Sequence, residues 1–86
     1  MKIIYSSKFE REYKKLSAHI KSLAEQKEKI FRQNPFDSRL KTHKLDGKLK
    51  EFWAFSIDYK YRIIFEISKD RKLVYFHSVS DHDIYR

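Results

Sequence analysis

The sequence predicts an α+β domain, with helices packed on one face of a small sheet. Three observations predict it. Apolar residues between positions 9 and 31 recur at spacings of three and four. Residues 51–79 alternate with period two. A short apolar run, Ile3-Ile4-Tyr5, precedes the helical pattern. The first spacing marks one face of a helix and the second marks strands.

Residues 2–5 (KIIY) read as the first strand. Ser7 with Glu10 three residues later fits a capping box, so a helix is expected to start there. Phe9, Tyr13, Leu16, Ile20, Leu23, Ile30 and Phe31 form its apolar face. This pattern allows one helix reaching residue 32, or a helical hairpin broken near Ser17, which is able to cap a second helix. Asn34-Pro35 ends the helical run, because proline disfavours helix in the residue before it. Residues 36–50 carry Arg39, Lys41, Lys44, Lys48 and Lys50 and the single glycine, so a turn is expected at Asp46-Gly47.

Three strands follow. Trp53, Phe55 and Ile57 alternate with Phe52, Ala54 and Ser56; Tyr61, Ile63, Phe65 and Ile67 alternate with Arg62, Ile64 and Glu66. In the last strand, Leu73, Tyr75, His77 and Val79 alternate with Val74, Phe76 and Ser78. Asp58-Tyr59-Lys60 and Ser68-Lys69-Asp70-Arg71 are the turns, and links this short imply an antiparallel meander. The tail from Ser80 to Arg86 reads as too polar for a buried strand.

At 86 residues the chain is one domain, residues 1–86. Hydrophobic residues at 41% and aromatics at 16% are enough for a core, which argues against disorder. Twenty Lys and Arg against twelve Asp and Glu give a net charge of +8, which points to a polyanionic partner. The absence of cysteine excludes disulfide scaffolds, thiol chemistry and cysteine-based zinc sites. No apolar run reaches membrane-span length, and MKIIYSSKFERE turns charged too early for a signal peptide. A cytoplasmic protein without metal or cofactor is the expectation.

The stretches HKLDGKLKEFWAFSIDYKYRIIFEI and VSDHDIYR, with KIIYSSKFEREYKKL at the start, resemble the RelE/ParE superfamily of small bacterial toxins. Three features carry the resemblance in order: the His43-x-Leu45-x-Gly47 turn, Tyr61-Arg62 before an apolar strand, and His82 near Tyr85. The likeness is to the RelE/YafQ branch of ribosome-dependent mRNA endonucleases. It implies a two-helix hairpin, a four-stranded sheet with the first strand inside it, and an acidic antitoxin partner. It implies a type II toxin that cleaves mRNA on the ribosome and so inhibits translation.

Position by position, the resemblance assigns catalytic roles to His43, Arg62, His82 and Tyr85. The YafQ pattern has a further His and an Asp where this chain has Ser56 and Lys60, and the two RelE lysines meet Trp53 and Phe55. Metal-free RNA cleavage uses the neighbouring 2′-hydroxyl as nucleophile. It needs a base for that proton, an acid for the departing 5′-oxygen and cations on the phosphorane. Histidine suits proton transfer, and the planar arginine fork suits the phosphate. His82, between Asp81 and Asp83, suits the proton donor; His43, beside Lys44, suits the base. Lys41, Lys44, Lys48, Lys50, Lys60 and Arg86 are the expected RNA contacts.

Each assignment has a plainer alternative: a solvated tail residue for His82, a surface turn for His43, a Glu66 ion pair for Arg62, a sheet-edge tyrosine for Tyr85. His77, sharing a strand face with Tyr75 and Val79, reads as a core or rim histidine, and His19 as structural or solvated. Phe52, Trp53 and Phe55 read as core, unless one face of the sheet is open. Two other functions compete: a ParE-like gyrase poison that cleaves no RNA, and a basic nucleic-acid-binding relative without activity.

Overall fold

The computed structural model describes residues 1–47 and 51–81. It has an α+β architecture: β1 (Lys2–Tyr5), α1 (Ser7–Lys14), α2 (Ala18–Gln33), a 3₁₀ turn (Ser38–Leu40), β2 (His43–Lys44), β3 (Trp53–Ser56), β4 (Tyr61–Ile67) and β5 (Leu73–Asp81). The expected fold class, helical hairpin and meander are all present. Among the described residues the sheet has five strands, in the order β1-β5-β4-β3-β2, not four. The added strand is the two-residue β2. β1 lies at the edge rather than inside the sheet, parallel to β5, while the other pairings are antiparallel.

The helix starts at Ser7 as expected, but its cap lies one residue earlier. Ser6, not Ser7, caps α1: its backbone is extended, and its hydroxyl accepts from the Phe9 N–H at 2.9 Å. The same hydroxyl donates to the His77 carbonyl at 2.6 Å, which ties the cap to β5 and decides between the two serines. Ser17 caps α2 by accepting from the Ile20 N–H, so the break expected there is real. α2 ends at Asn34, whose extended backbone leads into Pro35.

Between α2 and β2, Asp37 caps the 3₁₀ turn. Its carboxylate accepts from the Arg39 backbone and guanidinium, which holds the Asp37 carboxyl down to about 2. Leu40 is fully buried and anchors the segment. The two meander turns close on aspartates. Asp58 accepts from the Lys60 and Tyr61 N–H groups. Asp70 accepts from the Ser68 hydroxyl and the Lys72 N–H, which lowers its carboxyl.

The main core lies between the helices and the sheet. Phe31 sits at its centre, 4.9 Å from the rings of Phe55 and Phe65 and 5.4 Å from that of Phe76. The opposite sheet face has a separate, smaller cluster of Leu45, Ala54 and Ile64, with Phe52 against it.

One irregularity sorts β5 between the faces. Ile64 pairs with Ser78 but Phe65 pairs with Phe76, so His77 is an extra residue, a β-bulge. A bulge breaks the period of two. Val79 therefore joins Phe76 in the main core, while His77 points to the other side against Phe52. The expected common face for His77 and Val79 is thus wrong. β5 also runs to Ser80 and Asp81, past the expected end, because Arg62 and Tyr61 offer them pairing partners.

Candidate active site on the open sheet face

The face of the sheet away from the helices gathers part of the predicted site. Arg62 occupies β4, flanked by Ser56 of β3 and Ser80 of β5 in one row across the sheet. It is half-buried, and among the described residues its guanidinium has no ion pair or hydrogen bond, from Glu66 or any other group. Beside it the Ser80 hydroxyl is buried and has no hydrogen-bond partner among the described residues. A half-buried cation without an anion is energetically expensive unless one is supplied from outside.

His43 opens β2 and pairs with Ala54, so it stands on this same face. Lys41 adopts a left-handed backbone, φ 53°, which turns its carbonyl toward the imidazole. His43 Nδ1 lies 3.0 Å from that oxygen. A carbonyl only accepts, so Nδ1 carries a proton, and Nε2 is the nitrogen left to exchange one. That is the arrangement a general base requires. His43 and Arg62 lie two strands apart, about 10 Å across the sheet, so they do not touch.

The basic residues divide. Lys44 pairs with Trp53, and its ammonium lies 5.9 Å from the Trp53 ring, on the opposite face from His43. Lys60 pairs with Asp81 at 3.8 Å and lies over the Tyr61 ring. Lys41 is exposed. His82, Tyr85, Lys48, Lys50 and Arg86 lie outside the described residues. His19 is exposed near the start of α2, on a different element from the row around Arg62.

Two neighbours of the site escaped the sequence reading: Ser80, expected in a polar tail, and His77, which stands at the bulge and meets Phe52 on this face. A cleft of about 390 Å³ lies on the helix side, lined by Tyr5, Phe9, Tyr13, Glu25 and Glu28 among others. Burial and the nearby Glu25 and Glu28 push the Tyr13 hydroxyl up. Among the described residues none of the predicted site residues lines this cleft, and a carboxylate-rich wall is unsuited to a polyanion. Among the described residues no helix is long and apolar enough to cross a membrane.

A scan against protein-family models finds no match, and a search of curated proteins finds none either. Solved structures do match. The chain is similar to the YoeB/ParE toxin from Agrobacterium tumefaciens, with a TM-score of 0.80 and 16% identity over 95% of this chain and 99% of that one. It is similar to YafQ from E. coli strain BL21(DE3), with a TM-score of 0.79 and 17% identity over 95% and 93%. It is also similar to the toxin-antitoxin complex RelBE2 from Mycobacterium tuberculosis, with a TM-score of 0.75 and 17% identity over 93% and 95%. Identities this low speak to the fold, and at that level the agreement runs nearly end to end. The chain has the RelE/ParE toxin fold.

Proposed function

We propose that this protein is the toxin of a type II toxin-antitoxin system, a metal-independent endoribonuclease that cuts mRNA on the ribosome. The observation that carries the reading is Arg62: a half-buried guanidinium with no anion among the described residues, on the open face of a toxin fold. His43 supports it, with Nε2 available to take a proton.

In this mechanism His43 Nε2 removes the 2′-hydroxyl proton. The 2′-oxygen attacks the adjacent phosphorus, the bond from phosphorus to the 5′-oxygen breaks, and a cyclic phosphate and a 5′-hydroxyl result. Arg62 steadies the phosphorane charge. His82 and Tyr85 protonate the departing oxygen. Lys41, Lys44, Lys48, Lys50, Lys60 and Arg86 supply the basic surroundings for mRNA and ribosomal RNA. An acidic antitoxin, as partner, neutralises the +8 chain in the cytoplasm.

Primer extension on a translated mRNA, with purified ribosomes, tests this. Discrete cuts that require ribosomes and vanish when Arg62→Ala and His82→Ala are combined support it. A wild-type protein that binds ribosomes and makes no cut refutes it. DNA-damage signalling on expression, without mRNA cutting, would instead indicate the gyrase-poison reading.

A further inference from the structure

The bulge in β5 raises a question that the catalytic assignment leaves unanswered: why the sheet gives up a regular pairing at the point where an imidazole stands on the open face. His77 is the extra residue between the Ser78–Ile64 and Phe76–Phe65 pairs. Bulges re-aim side chains, and they recur beside active sites. Here the His77 ring meets Phe52, with centroids 5.0 Å apart and planes at 57°. Phe52 rests on Leu45, Ala54 and Ile64, so the floor beneath the pair is buried and apolar. His77 Nδ1 is 3.1 Å from the Ser78 hydroxyl, which fixes the ring's rotation. Both rings are half-buried, so each keeps part of its surface open to solvent.

We infer that Phe52 and His77 form a stacking platform for a nucleobase of single-stranded RNA, beside the phosphate that Arg62 holds. The inference rests on the RNA reading given above and names how that substrate is gripped. Three features favour this occupant. The chain carries +8 net charge, and Arg62, unpaired among the described residues, stands on the same face. Arg62 lies one strand over and two to three residues along from His77, roughly 10 Å between backbone positions, within reach of one nucleotide. A platform of two fixed rings with few polar atoms accepts any base, since every base has a π-face. His77 is thus a binding residue, not a proton carrier.

The test uses the whole protein and two ten-nucleotide single-stranded RNAs, one intact and one abasic on the same backbone. Affinity is read by fluorescence anisotropy at low salt, where phosphate contacts contribute equally to both. Wild type is expected to prefer the intact RNA by about tenfold, the scale of one stacked base. His77→Ala and Phe52→Leu are expected to bring the ratio near one. Leucine keeps the apolar contact on Ala54 and Ile64, so this variant folds. His77→Phe restores the ratio, because the ring and not the ring nitrogen is required. A wild-type ratio of one, or a ratio unchanged in His77→Ala and Phe52→Leu, overturns the platform. Base-dependent binding without ribosome-dependent cutting would leave the platform standing and count only against the nuclease reading.

Discussion

The outer edge of β5 offers a sharp test of how this small domain is held together. β1 stops at Tyr5, and β5 continues. From there α1 takes over the role of a neighbouring strand. The Ser6 N–H donates to the Phe76 carbonyl, the Ser6 hydroxyl donates to the His77 carbonyl, and the Glu12 carboxylate accepts from the Val79 N–H at 3.0 Å. Val79 is 1% exposed, so no water is at hand for that donor. Replacing Glu12 by alanine strands a buried N–H, at a cost of about 1–3 kcal/mol. The Lys8–Glu12 ion pair is also lost, but it is exposed and adds at most about 0.5 kcal/mol. The expected loss for Glu12→Ala is therefore about 2 kcal/mol, or about 8–16 °C in melting temperature for a domain of this size. Glu12→Gln keeps an acceptor in place and is expected to cost under about 1 kcal/mol. Thermal melts by circular dichroism give the ranking, and amide exchange at Val79 gives the mechanism. If the two variants melt together, or if Val79 exchanges no faster in the alanine variant, the edge-capping argument is wrong.

Other predictions concern the core, the loop and the candidate base. Phe31→Ala is expected to remove about 3–5 kcal/mol, a large part of the stability of a chain this short, as read by urea denaturation. Asp37 titrates at about 2 in the folded chain against an ordinary 3.8, chiefly through the Arg39 guanidinium hydrogen bonds. Its contribution is complete above pH 3.8 and fades as the pH falls through about 2, so Asp37→Asn melts below wild type at neutral pH and the two converge near pH 2; a constant gap would sink the assignment. Nitrogen-15 spectroscopy at alkaline pH is expected to find neutral His43 with its proton on Nδ1, and a proton on Nε2 would remove it as the base.

Much of the architecture was legible because strong periodic patterns and their punctuation agree. Ser17 and Pro35 mark the ends of α2, and aspartates mark the turns. Three features were not legible, each for a physical reason. β2 is two residues long, too short for a period to register. Ser6 and Ser7 are equivalent as caps until the His77 carbonyl, far along the chain, selects one. The bulge at His77 has no glycine or proline to announce it, so a strict alternation put Val79 on the wrong face. For the candidate site, the sequence named His43 and Arg62, and the fold places both on one face. Lys44 lies on the other face, and the sequence carried the signal for that: in a strand it must point away from its neighbour His43.

The parallel pairing of β1 with β5 has a consequence in time. Ser6 and His77, joined by a hydrogen bond, are 71 residues apart in sequence. As the chain is synthesised, β1 and both helices emerge long before the strand that completes them. Until β5 arrives, β1 has no partner, Phe31 lacks Phe76, and Glu12 has no Val79 amide to accept from. Arg62 likewise has only one of its two flanking strands. Contacts this distant make folding a late event. A growing or truncated chain therefore lacks both the finished core and the assembled open face, and the fold itself delays any activity of that face until its last strand has been made.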